Sequence, residues 1–150
     1  MRALLDTNTW IALTVETHPH HAPARRWYEA ASLSRGELLF CRPTEISFLR
    51  LITQKRVMQA CSAMPLTNEE AIHFLNGVHH DEAVARVEEP PATRSLWLEL
   101  SKFHYAAPNV WMDAYLSAFA IALGASFVTF DRGFQSYESN GLDLHMLELA

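Results

Sequence analysis

Five short apolar runs, Ala3 to Leu5, Leu38 to Cys41, Ala83 to Val87, Ser126 to Phe130 and Leu142 to Leu147, alternate with segments of helical spacing. No other property of the chain limits its fold as much. Runs this short are not buried helices; they suit strands covered on both faces. Strands that alternate with helices pair in parallel, because each helix carries the chain back to the start of the next strand. The expected architecture is α/β: three layers, α/β/α, built on a mainly parallel sheet of about five short strands.

The helical segments carry their own start and stop signals. After Asp6, Trp10, Leu13 and Thr14 share a helical face, and Ala24 to Leu33 forms a second helix with Trp27 and Ala31 on one side, ended by Gly36. Pro43 suits a first helical position, and its helix, to about Thr53, is expected to turn Ile46, Leu49 and Ile52 toward the core with Arg50 off that stripe. Gln54 to Met64 has no decisive period. Thr67 followed by Glu70 is a capping box that opens a helix to Gly77, and His79 and His80 beside Asp81 read as its solvated end. Leu96, Leu100 and Phe103 place a helix over Ala92 to about His104. The next helix, from Val110, is apolar or small all round, with Asp113 as its one formal charge. Core packing is expected for Trp10, Trp27, Trp97 and Trp111, and for reduced Cys41 and Cys61, which lack zinc or redox spacing.

A length of 150 residues, 49% of them apolar, fits a single domain over 1–150 with a full core. Asp6 interrupts the first apolar run where a signal peptide needs continuity, so a cytoplasmic protein without a membrane segment is expected. With 12 basic and 17 acidic residues the net charge is −5, which argues against binding nucleic acid through a bulk positive field. That objection weakens if bound metal neutralises part of the negative charge.

Asp6 and Asp131 fall just past the first and fourth apolar runs, and ligands of open α/β sheets bind at the carboxyl ends of strands. Each could also be a helix N-cap, and Glu45 could be a first-turn acid favoured by the helix dipole. Asp113 is harder to explain, because an unpaired carboxylate on a buried helix costs on the order of several kcal/mol or loses its charge. An Asp113 to Arg132 ion pair is the structural alternative to a metal.

The segments DTNTWIAL, Pro43-Thr44-Glu45, WMDAYLSAFA and VTFDRGF together resemble a PIN-domain nuclease, and most of all the VapC-type toxins of toxin–antitoxin modules, from Leu5 to about Leu147. The resemblance implies a metal-dependent endoribonuclease that leaves a 5′-phosphate. It implies that Asp6, Glu45, Asp113 and Asp131 form the catalytic, metal-binding set, with Asp6 and Asp113 as principal ligands and Asn8 and Thr129 in support through hydrogen bonds. Mg²⁺, or Mn²⁺ in its place, would relieve the mutual repulsion of such acids. A VapB-like antitoxin and a homodimer are the implied protein partners.

Arg25, Arg26, Arg42, Arg50, Lys55 and Arg56 gather positive charge into the first third of the chain and could line an RNA path; Arg50, Arg42 and Arg132 are the candidates for RNA contact. His18, His20 and His21 lack the further ligand that zinc requires and read as surface histidines, with RNA contact as a lesser reading. The competing functional class is a catalytically inactive PIN-like module that binds RNA or protein, against which the presence of all four acids argues. A phosphotransfer protein using Asp6 would want a second Asp where Asn8 stands.

Overall fold

The computed structural model describes residues 1–149, and its strand order decides where a site can form. β1 (Ala3–Leu5), β2 (Leu38–Phe40), β3 (Val84–Arg86), β4 (Ser126–Thr129) and β5 (Leu144–Met146) make one parallel sheet in the order β3-β2-β1-β4-β5. Ala3 is in register with Leu38 on one side and Ser126 on the other, and Leu5 with Val128. The chain therefore builds outward from β1 to β3, then returns to the opposite side of β1 to begin β4. A reversal of this kind opens a crevice beyond the carboxyl ends of the two strands that flank it.

Alternation along the strands sorts the core into two layers. Ala3, Leu5, Leu38, Phe40 and Val128 face α1 (Thr7–Thr14), α2 (His21–Ala31), α3 (Arg42–Ile52), α4 (Lys55–Ala60) and α5 (Asn68–Val78), where Trp10, Trp27, Phe48, Ile52 and Leu75 are buried. Leu4, Leu39 and Phe127 face the other way, onto α6 (Thr93–Leu100), α7 (Trp111–Leu123) and a 3-10 helix over Arg132–Asn140. Trp10 lies flat on Phe40, with ring centroids 3.7 Å apart, and fixes the start of α1 against the sheet. The three-layer α/β/α expectation holds. No helix among the described residues is long and apolar enough to cross a membrane.

Several local expectations are corrected. Ile46 is 53% exposed; the buried face of α3 is Thr44, Glu45, Phe48 and Ile52, so the helix is rotated toward the two polar residues that its aliphatic pattern ignored. Thr44 is buried because its hydroxyl donates to the Cys41 carbonyl and accepts the Cys41 N–H, closing the N-terminus of the helix. α2 ends at Ser32, which takes a left-handed φ of 47°, and Gly36, with φ of 73°, turns the chain into β2. The segment without a clear period contains α4. α6 stops at Leu100, where the Ser101 hydroxyl donates back to the Trp97 carbonyl, and Phe103 stays exposed beyond it. Trp111 is 50% exposed at the start of α7, against the core packing expected of it.

Candidate active site

Asp6 caps α1 where β1 ends. Its Oδ1 accepts the Thr9 amide at 2.8 Å and its Oδ2 accepts the Thr129 hydroxyl at 2.6 Å. The cap and the site are thus one carboxylate, nearly wholly buried. Burial pushes its pKa above the ordinary value, the Thr129 and Thr9 hydrogen bonds draw it back, and the charge of Asp131 adds a further upward push.

Thr129, the last residue of β4, is fully buried and joins two acids with one hydroxyl: it donates to Asp6 and accepts the backbone N–H of Asp131 at 2.9 Å. Asp131 is exposed and caps the 3-10 helix through the Gly133 amide at 2.7 Å. A Cβ at position 133 would stand 3.1 Å from Asp131 Oδ1, so the glycine lets the carboxylate sit against the backbone.

Asp113 lies in the first turn of α7, half-buried. Its pKa is raised by burial first, then by the charges of Asp131 and Asp6. The Tyr137 hydroxyl is pushed up by burial and by the charge of Asp113. Three acids far apart in sequence, Asp6, Asp113 and Asp131, therefore lie within electrostatic reach of one another. Among the described residues no ion pair neutralises any of them, and Arg132 does not bridge to Asp113.

Glu45 is held differently. It is 5% exposed, in the first turn of α3, and the charges that raise Asp6 and Asp113 do not include it. Arg42 Nη1 donates to its Oε1 at 3.0 Å, and His79 Nε2 lies 2.9 Å from its Oε2. His79, expected at a solvated helix end, instead turns inward against the Phe40 ring, with centroids 5.4 Å apart. Sequence reasoning missed it because nothing in the spacing of residues 45 and 79 signals that two helices bring them together.

Of the supporting and RNA-contact candidates, Asn8 is exposed and makes no side-chain hydrogen bond to an acid among the described residues. Arg132 is exposed directly after Asp131. Arg50 lies in the last turn of α3, in an apolar depression formed with Ile46, Leu49 and Ile72. The histidine cluster is internally organised: His18 Nδ1 accepts the His20 amide at 2.9 Å, the His21 ring bonds the Ala12 carbonyl, and His20 packs on Phe130.

The donor set suits a hard divalent cation, because the charged groups of the cluster are all carboxylates. Among the described residues no group of three or more His, Cys, Asp or Glu side chains is gathered closely enough to hold a metal ion. Mg²⁺ commonly keeps several waters and takes only one or two protein carboxylates, a demand that an open cluster meets.

Comparison with known proteins agrees with this geometry. Residues 3–140 match the PIN domain. The chain is 39% identical to ribonuclease VapC41 of Mycobacterium tuberculosis over 145 residues, covering 96% of this chain and 97% of that one. It is 34% identical to ribonuclease VapC44 of the same organism over 137 residues, covering 88% and 87%. Among solved structures, VapBC-1 from nontypeable Haemophilus influenzae shares the fold with a TM-score of 0.65 at 16% identity, covering 97% of this chain and 98% of that one. VapBC2 from Rickettsia felis, bound to a DNA fragment from its promoter, aligns with a TM-score of 0.62 at 13% identity, covering 99% and 100%. PIN-domain ribonucleases generally use divalent metals. With acids gathered at the reversal of its sheet and near full-length likeness to VapC ribonucleases, the chain belongs to the PIN-domain family.

Proposed function

We propose that the protein is a Mg²⁺-dependent endoribonuclease, with Mn²⁺ able to replace Mg²⁺, and the toxin of a toxin–antitoxin module. The observation that carries this reading is the mutual repulsion of Asp6, Asp113 and Asp131 without an internal counter-ion. A pocket of that charge is costly to keep unless a cation enters it.

In this reading Asp6 and Asp113 are the principal ligands, with Asp131 and Glu45 as further ligands, direct or through water. A bound Mg²⁺ supplies positive charge at the phosphate oxygens and acidifies water. Thr129 keeps the Asp6 carboxylate from rotating. Arg42 and Arg132 take neighbouring phosphates, and Arg50, on the same helix as Glu45, extends that path. The net charge of −5 is then no obstacle, because the cation and this local basic rim set the field that RNA meets.

A VapB-like antitoxin is the partner, in keeping with the VapBC assemblies that share the fold, and the protein works in the cytoplasm as a homodimer. The test is cleavage of a defined RNA panel by the wild type and by Asp6→Asn, with Mg²⁺ and with EDTA. Cleavage that needs both the metal and Asp6 is the expected result; EDTA-resistant cleavage, or full activity of Asp6→Asn, would sink the reading.

A further inference from the structure

We propose that His79 is a positioning residue for Glu45: its ring holds one oxygen of the buried carboxylate, while Arg42 is the exchangeable counter-charge on the other. This rests on Glu45 being one of the cation-binding acids.

The two partners differ in how firmly they are held. His79 caps the C-terminus of α5, its own N–H bonded to the Leu75 carbonyl at 3.1 Å, and its side chain is 22% exposed. Its ring leans on Phe40, which is fully buried and itself lies flat on Trp10. The imidazole is therefore braced by the core of the protein. Arg42, by contrast, has a side chain 66% exposed, at the rim of a cleft shared with Arg86 and Tyr115. A guanidinium so placed can leave the carboxylate for an RNA phosphate, with which it makes a bidentate pair.

Chemistry favours this division of roles. A free glutamate side chain has much rotamer freedom to lose on being fixed, and one bond from a mobile arginine would not fix it. The neutral Nε2–H tautomer of His79 donates to Oε2, so the hold does not depend on protonation. One bond from Arg42 leaves Oε1 a second lone pair for a cation, and His79 keeps the carboxylate in place whether Arg42 stays or turns to phosphate. Stability alone does not account for the arrangement, since taking the Glu45 carboxylate out of water is costly and a well-packed apolar side chain would avoid that cost.

The test compares His79→Phe, which keeps the ring packing on Phe40 but removes the donor, with His79→Gln, whose side-chain amide can still donate, and with Glu45→Gln. Three readouts are taken: Mn²⁺ affinity of the RNA-free protein by calorimetry, kcat and KM for a defined RNA, and Tm. His79→Phe is expected to weaken Mn²⁺ binding and lower kcat by ~10- to 100-fold, the range seen when the partner of a metal ligand is lost, with KM little changed. His79→Gln should recover most of both losses. If His79→Phe binds Mn²⁺ and turns over as the wild type does, whatever its Tm, the positioning role is overturned. If Glu45→Gln also leaves both unchanged, the assignment of Glu45 falls as well; if Glu45→Gln loses both, only the role of His79 falls.

Discussion

Replacing Thr129 by valine isolates one hydroxyl from everything else in the site. Valine has the shape of threonine, so no cavity opens at this fully buried position, and what is lost is the donation to Asp6 at 2.6 Å and the acceptance from the Asp131 amide at 2.9 Å. A hydrogen bond to a charged group contributes about 1.5–3 kcal/mol. The methyl gained in place of the hydroxyl returns part of that loss, so a net destabilisation of about 2 kcal/mol is expected. In a domain of this size the change corresponds to a fall in Tm of about 4–8 °C. Urea unfolding should show a lower midpoint with an unchanged slope, because the surface exposed on unfolding is the same. Cleavage should fall at least about tenfold, since Asp6 keeps its cap but loses the bond that fixes its second oxygen. Serine keeps the hydroxyl and loses one buried methyl, a cost of about 1 kcal/mol. The order of stability is therefore wild type, serine, valine, and the serine variant keeps most of its activity. A valine variant within about 0.5 kcal/mol of wild type, or more stable than serine, would refute the reasoning.

Other outcomes follow from the same charges and from the backbone. Asp113→Asn removes one of three repelling charges, so without metal its Tm should equal or exceed that of the wild type, while the Tm rise on adding Mg²⁺ shrinks and cleavage drops by at least ~100-fold; a wild-type response to Mg²⁺ would contradict it. The folded pKa values of Asp6 and Asp113 are raised above 3.8, so the folded state binds protons more tightly than the unfolded one. The contribution of these two groups to metal-free stability is therefore greatest below that value and falls as pH rises from 3.8 through the raised values, then levels off. Urea midpoints across that range, in EDTA and in Mg²⁺, would check this, with Mg²⁺ cancelling the fall. Gly124 ends α7 with φ of 70° and open space around it, so Gly124→Ala should cost about 1 kcal/mol through backbone strain alone and leave cleavage unchanged.

The parts of the fold that depend on short-range pattern were readable in the sequence. Each of the five strands overlaps its apolar run, and the Thr67 and Glu70 box is formed in both directions. Asp6, Asp113 and Asp131 stood out because each interrupts an apolar pattern. What was not readable is rotation and long-range pairing. The period of α3 could be satisfied by Ile46 as well as by Phe48, and the polar pair Thr44 and Glu45 decided it. Trp111 looked like core because hydrophobicity does not say which side of a helix start is covered. The inward turn of His79 depends on how α5 meets α3, a contact between segments whose spacing in the chain carries no signature. The 3-10 helix over Arg132–Asn140 has no run of apolar residues to announce it.

β1 and β4 are neighbours in the sheet, yet Asp6 and Thr129, the two residues they bring together, stand 123 positions apart in the chain. The second oxygen of Asp6 is therefore fixed only when the sheet has closed on both sides of β1. The order of strands thus ties the arrangement of the acids to completion of the whole sheet, so that a partly folded molecule lacks the cluster.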